Sequence, residues 1–506
     1  MRINRRTFLK ATGASASVAL VGYSAYEALA LSGNLPAWLR GPVSPATRDQ
    51  IWHTLNRITF GPRSGQVDAV AVMGLHSYLE QQLDPFSLND DAAAKHFGNF
   101  ITLDMSSAEL LGTKVDGQVM VDELDTSTIL HAVYSERQLY EVMVNFWSEH
   151  FSIFHYKGNS YALKTVDDRE VIRKYALSSF SQLLNASAKS PAMLDYLDNA
   201  VSDKDHPNEN YARELMELHT LGVGNNTEKD VKEVARCFTG WTLRYDSSGR
   251  NGTFAFVSDM HDNESKTVLG HTIPAQGGMK DGQLVLDILA RHPATAHHLS
   301  LKLCRRFIGD NPPDAIVKEV AQKFIDSKGA LPDVLRVIFA SPAFLHAPPK
   351  FKRPYEYVLS LYRALDVQVS TAEPLDALSR LEQMNHRPFK HASPDGYSDL
   401  ATRWQSDLLS RWNTGIETVY SSAYGTHVDV LKLARLQGAK NKADDIVNYY
   451  AKHLLGRTLT KEESTTLLKY VSSTGKPSID LASDDGPSLL IDVIALLIAS
   501  PAYQYR

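Results

Sequence analysis

Apolar residues recur along most of this chain at the three-to-four-residue spacing that lines one face of an α-helix. Ile51, Leu55 and Ile58 share such a face in a first helix, which Thr47 or Ser44 is placed to cap and which Gly61-Pro62 cannot continue. A short helical pair divided at Gly74 follows. The pattern over 127–150 then predicts one longer helix ending in YEVMVNFWSEHF, with Val142, Phe146 and Trp147 turned inward. In DHPNENYARELMELHTLG, residues 205–222, Pro207 marks a start, Leu215, Leu218 and Leu221 form the apolar stripe, and Gly222 supplies the stop. Thr227 and Asp230 have capping-box spacing ahead of EKDVKEVARCFTGW, so 208–240 reads as a helix hairpin.

Residues 241–280 depart from this period. Short alternating and β-branched pieces lie between Gly and Asp there, the pattern of a small β-hairpin or irregular loop inserted in a helical body, and helical spacing resumes at Asp281. PDVLRVIFASPAF (332–344) and IDVIALLIASPAY (491–503) repeat Asp-Val, Ala-Ser-Pro-Ala and a final aromatic at a constant offset, each after a helical pair. A duplicated three-helix unit accounts for both copies. The fold expected is mainly α: a large multi-helical body at 48–365 that includes the 241–280 insertion, and a carboxy-terminal helical region, 366–506, packed on it or continuous with it.

The first thirty residues are of another kind. Arg5-Arg6, then Phe8, Leu9 and Lys10, a mildly apolar run and Ala28-Leu29-Ala30 have the order of a twin-arginine export signal, followed by a Pro/Gly-rich linker at 31–47. Glu27 interrupts the apolar run, which argues against a stable transmembrane span. A folded bacterial protein delivered to the periplasm or beyond is therefore expected. The formal charge of −5 gives no basic field for nucleic acid. Cys237 and Cys304, the only cysteines, form no thiolate metal cluster and leave pairing open.

Chemistry-bearing residues concentrate in five stretches. Glu214 and Glu217 lie three apart on one helix, near enough to approach one ligand, but His219 leaves their face unless the final turn unwinds near Gly222. The structural alternative pairs Glu209 with Arg213 and uses both glutamates to anchor loops. His150 closes NFWSEH, while His261, Asp262 and Lys266 stand in DMHDNESK. Together His150, Glu214, His219, His261 and Asp262 would suit a divalent metal, although spacing does not require it. The cofactor is otherwise open. Late in the chain, FKRPYEY carries Lys352 and Arg353, and HRPFKHASPDGYSD carries His386, Arg387, Lys390 and His391 before Tyr397, with Trp404 and Trp412 following. Guanidinium groups and flat rings suit acidic or saccharide ligands. No GxSxG, HExxH, P-loop or dinucleotide fingerprint is present.

LNRITFGPRSGQVDAVAVMGLHSYLEQQLDP, VNFWSEHFSI, PAMLDYLDN, NENYARELMELHTLGV, DVKEVARCFTGW, HDNESKTVLG and FKRPYEYVLSLYRAL together resemble the bacterial family known as domain of unknown function 1800. The resemblance implies export in many members, often beside a second exported family, and points to the same polar residues without giving them roles. The family's FWHxHF pattern reads Phe146-Trp147-Ser148-Glu149-His150-Phe151 here, so one of two histidines is missing. Its HDxxxKxxLG pattern falls on His261, Asp262, Lys266 and Leu269-Gly270, and its PxGYP-like turn on Pro394, Gly396 and Tyr397, with Ser398 in place of proline.

Two functions are thus expected. One is an enzyme acting on an envelope or extracellular polysaccharide, with Glu214, Glu217 and His150 catalytic, Arg213, Lys266, Arg387, Tyr397 and Trp404 on the substrate, and His219, His261 and Asp262 as metal ligands. The other is a noncatalytic exported scaffold that binds a glycan or a second exported protein. The leader is testable by itself: replacing Arg5 and Arg6 with lysine keeps the charge but removes the paired guanidinium groups. Precursor should then accumulate in the cytoplasm, as read by fractionation and immunoblotting, and normal export of processed protein would refute the signal.

Overall fold

The computed structural model describes residues 46–96, 100–245, 251–369, 376–420, 425–429, 443–473, 483–484 and 486–506. The leader lies outside them. The body is built of helices, of which those framing the argument are α1 (Arg48–Ile58), α2 (Gly117–Tyr134), α3 (Gln138–His150), α4 (Glu209–Glu217) and α5 (Glu228–Cys237) in the first half. Two antiparallel hairpins follow, β1 (Trp241–Leu243) with β2 (Phe254–Phe256), and β3 (Lys266–Val268) with β4 (His271–Ile273). Then come α6 (Met279–Arg291), α7 (Pro293–Phe307), α8 (Asp314–Asp326), α9 (Leu331–Ala340), α10 (Pro354–Ala364), α11 (Leu408–Val419), α12 (Ala443–Leu455), α13 (Lys461–Ser473) and α14 (Gly486–Ala499). The insertion is therefore a pair of hairpins in an α body. One buried apolar cluster runs from Ile51 to Tyr503, so the late helices share the core of the early ones. Among the described residues no helix is long and apolar enough to cross a membrane.

Local signals account for most boundaries. Thr47 caps α1 with a reciprocal box to Gln50, and Thr227 does the same for α5 with Asp230. Asn208 caps α4 by accepting from the Tyr211 amide. The single helix expected over 127–150 is instead two. Ser135 Oγ accepts from the Arg137 amide, and Gln138 Nε2 donates to the carbonyls of Ala132 and Ser135, so short polar side chains take over the bonds the helix would have made.

The repeated segments adopt the same course. α7 and α8 precede α9, α12 and α13 precede α14, and each third helix stops at a Ser-Pro pair before a buried aromatic, Phe344 or Tyr503. Ser341 Oγ donates to the Ile338 carbonyl at 2.7 Å and Ser500 Oγ to that of Leu497 at 2.6 Å. The corresponding aspartates differ: Asp333 pairs with Arg336, whereas Asp492 accepts from the hydroxyls of Tyr420 and Tyr470.

At the centre, the buried Glu356 carboxylate at the start of α10 takes Arg306 of α7, Arg353 on its own N-terminal side, and Arg506 at 3.0 Å. Lys350 and Arg506 also exchange backbone hydrogen bonds at 2.9 Å, closing the last residues onto the α10 entrance. Removing the charge takes from the buried Arg306 and Arg506 their carboxylate partner, Arg353 keeping Glu149. Glu356→Gln should therefore destabilise the fold by about 3–5 kcal/mol, measured by urea unfolding; a loss below about 1 kcal/mol would show that the network is dispensable.

Candidate functional site

Consecutive residues at the end of α3 point into different surroundings. Glu149 lines a small cavity, about 30 Å³ in volume, with Asn145, Ser148, Tyr355, His386 and Tyr397 beside apolar Val144 and Phe389, enough for a water molecule and too small for a sugar. Its carboxylate accepts from Arg353 and from Asn145 Nδ2 at 3.0 Å, and His386 Nε2 lies 3.4 Å away. Because His386 Nδ1 accepts the Tyr355 amide at 3.2 Å, the ring proton is on Nε2 and faces Glu149. Burial opposes the charge on Glu149, but Arg353 and His386 outweigh it and hold the group at about 2.

The turn expected at 394–397 forms the lid of this cavity. Gly396 has φ 72°, and a Cβ there would stand 2.0 Å from the Glu149 carbonyl oxygen, so close approach and left-handed geometry both require glycine. Trp404 stacks on His386 with centroids 4.5 Å apart and donates to the Ser398 carbonyl, and Tyr397 donates to the Arg387 carbonyl at 2.8 Å. Arg387 itself reaches Asp125 and Asp122, each at 2.6 Å, and Glu382 at 3.3 Å. Trp404 is only 2% exposed, and the side chains of Arg387 and Trp404, expected to face a sugar, are both engaged by the protein itself.

His150 looks the other way. Its Nε2 donates to the His219 carbonyl at 3.1 Å, which leaves Nδ1 bare to accept from Lys302 Nζ at 3.0 Å. His219 reaches this place because the end of α4 widens: the amides of His219 and Leu221 bond back to Glu214 and Met216, five residues earlier. The last turn thus opens ahead of Gly222 and sets the His219 ring beside that of His150. The ring centroids of His219 and His298 stand 6.1 and 6.4 Å from that of His150. Burial and then Lys302 depress all three, His150 well below its ordinary value, His219 to about 3 and His298 to about 4. Lys302 is lowered by burial, against the pull of Asp399, Glu149 and Asp395. It was not singled out in the sequence, although it shares a helical face with His298.

The two α4 glutamates diverge in use. Glu217 accepts from Asn226 at 3.3 Å and lies 3.6 Å from Arg213. Arg213 does not pair with Glu209; it reaches across the hairpin to Glu228 in a bidentate contact at 2.7 and 2.8 Å. Glu214, half-buried, has no hydrogen bond or ion pair from its carboxylate among the described residues. Burial raises it and Glu217 adds to the effect, Arg213 opposes it, and Asp395 of the turn adds the smallest push upward. At Asp395 burial is outweighed by hydrogen bonds from His391, at 2.9 Å, and Ser393, which lower it. Tyr196 ties the two sides together: its hydroxyl donates to the Ala392 carbonyl, and burial followed by the charges of Glu214 and Asp395 raises it to about 12.

His261, Asp262 and Lys266 belong elsewhere. His261 Nδ1 lies 2.8 Å from the Thr239 carbonyl and Nε2 3.2 Å from Asp281, which also takes Lys266 Nζ at 2.7 Å. Asp262 pairs with Arg236 at 2.7 and 3.1 Å. These contacts fasten the second hairpin to α5 and α6. Among the described residues no hydrogen bond, ion pair or ring contact links His261 or Asp262 to the His150–His219 pair. Among the described residues no group of three or more His, Cys, Asp or Glu side chains is placed to hold a metal. Cys237 and Cys304 are free, and burial pushes both thiols up to about 12.

A family described as "Protein of unknown function (DUF1800)" matches residues 53–505, and the chain belongs to that family. No curated protein and no solved structure matches it.

The depressed histidines make stability depend on pH with a definite sign. Below about 6.5 the unfolded chain protonates His219 and His298 while the folded protein keeps them neutral down to about 3 and about 4, so stability is lost as pH falls through that window. Replacing His219 with Gln should flatten the slope between pH 6 and 5 by roughly one proton, about 1.4 kcal/mol per pH unit. Urea titrations at several pH values measure it, and an unchanged slope would show that His219 titrates normally.

Proposed function

We propose that this family member is an exported hydrolase of envelope or extracellular polysaccharide, working between α4 and the 391–399 turn with Glu214 as general acid and Asp395 as its ionised partner. The observation that carries the reading is the contrast between the two carboxylates. Glu214 has no hydrogen bond or ion pair among the described residues and is raised, Asp395 is hydrogen-bonded and lowered, and each side of the pair is anchored on the Tyr196–Leu197 segment, through Tyr196 to Ala392 and Asn208 to Leu197. Environments that push neighbouring carboxyl groups apart divide an acid from a base.

In this reading the protonated Glu214 gives its proton to the glycosidic oxygen as the bond to the anomeric carbon breaks. Asp395, held ionised by His391 and facing the charge of Lys302, stabilises the developing positive charge and takes a proton from the attacking water. Glu217 acts through Glu214, keeping it protonated by like charge. His150 positions Lys302 rather than transferring a proton, since both ring nitrogens are occupied. The second reading, a noncatalytic exported scaffold, is favoured by one observation: Arg213, Lys266, Arg387 and Trp404 all satisfy internal partners.

Release of reducing ends from peptidoglycan strands and exported polysaccharides tests the reaction. Glu214→Gln and Asp395→Asn should each lower it by about 10²–10⁴-fold while circular dichroism stays unchanged. Carboxyl NMR titration provides a readout free of substrate choice: Glu214 should titrate above an ordinary glutamate and move slightly down when Asp395 is Asn, burial and Glu217 keeping most of the elevation. An unaltered Glu214 titration in that variant, or full activity of Glu214→Gln, would sink the pair, and a Glu214 of ordinary acidity with no released sugar would favour the scaffold.

A further inference from the structure

Cations outnumber carboxylates around the entrance to α10. Arg306, Arg353 and Arg506 converge on Glu356, and Arg353 also serves Glu149. Beyond them stand two more buried cations with no carboxylate partner among the described residues. Arg411 of α11 is fully buried, and its Nε, Nη1 and Nη2 all lack a hydrogen-bond acceptor. Lys352 is 4% exposed, and its ammonium likewise makes no hydrogen bond or ion pair among the described residues.

Both groups sit in one aromatic enclosure. Arg411 Cζ lies 4.6 Å from the Phe351 ring centroid and 5.4 Å from that of Tyr357, and Lys352 Nζ lies 3.7 Å from that of Tyr503. The Tyr357 and Tyr503 rings are themselves 5.8 Å apart, edge to face. Ring faces attract the positive charges but offer no lone pairs to the five N–H groups of a guanidinium. Burying those groups unpaired is costly, and placing a second cation nearby compounds the cost. Something that accepts hydrogen bonds and carries negative charge completes the arrangement.

We propose that Arg411 and Lys352 form a buried binding site for a monatomic anion, with chloride as the occupant. The neutral polar groups of the enclosure are already taken: the Tyr357 hydroxyl donates to the Arg411 carbonyl at 2.8 Å, and the Tyr503 hydroxyl meets Ser360 at 3.4 Å. Phosphate or sulfate would bring four oxygens into apolar walls with two cationic donors to serve them. A halide needs no fixed donor geometry and accepts from both. An anion there would favour the charged form of Lys352, which burial, then Arg506 and Arg411, otherwise bring down to about 7. The site joins α10 and α11 to the terminal segment, so the anion binds the folded state alone and stabilises it by linkage.

Two measurements on the full chain test this. Crystals grown in sodium bromide should show an anomalous peak in contact with the Arg411 guanidinium. Thermal unfolding at constant ionic strength should shift upward as chloride replaces gluconate, and Arg411→Met should abolish the shift. If that variant does not fold, Lys352→Met serves the same comparison, and the bromide crystal needs neither. A water in place of the peak together with a melting temperature indifferent to chloride overturns the proposal, as does a chloride shift that survives in both variants.

Discussion

Three arginines share one buried carboxylate, and the rest of the molecule is arranged around that fact. Glu356 would be destabilising on its own in the core, because desolvation opposes its charge; Arg506, Arg306 and Arg353 reverse the balance and hold it well below the ordinary glutamate range. The three come from remote parts of the sequence, so satisfying the carboxylate also fixes α7, the start of α10 and the terminal residues relative to one another. Arg353 extends the constraint to Glu149 at the end of α3, and Glu149 to His386. The cavity, its lid and the divergence of Glu149 from His150 follow from that chain of contacts.

Where a signal depends on neighbours in sequence, the chain could be read. The caps at Thr47 and Thr227, the 208–240 hairpin, the β insertion and the Ser-Pro stops of the two repeats all rest on contacts spanning a few residues. Periodicity failed at 135–137 because a break made by Ser135 and Gln138 leaves the apolar spacing on either side almost in phase. The exact partner of Arg213 was hidden for a related reason: Glu209 offered the local i,i+4 pairing, and Glu228 becomes available only once the hairpin closes.

The site was legible in residue type and much less so in arrangement. His150 and His219 come together, and the widened end of α4 supplies that turn, while the Glu214 carboxylate feels the charges of Glu217, Arg213 and Asp395. Residues of the HDxxxK stretch, equally rich in chemistry on paper, are consumed by Thr239, Arg236 and Asp281 in fastening a hairpin. Nothing in composition separates a buried structural pair from a reactive one, since both need charged side chains in complementary places. Lys302 and Asp395 show the converse, for their significance comes from what the fold sets opposite them.

Protonation states narrow the chemistry further. Glu149 is ionised and hydrogen-bonded, His386 has one nitrogen on a backbone amide and the other on Glu149, and His150 is bracketed by a carbonyl and Lys302. None of these can gain or lose a proton without breaking a buried contact. Glu214 can, because its carboxylate is half-buried, raised and without a partner among the described residues. These commitments leave Glu214 and Asp395, on one side of the turn, as the carboxyl groups whose surroundings push their acidities apart.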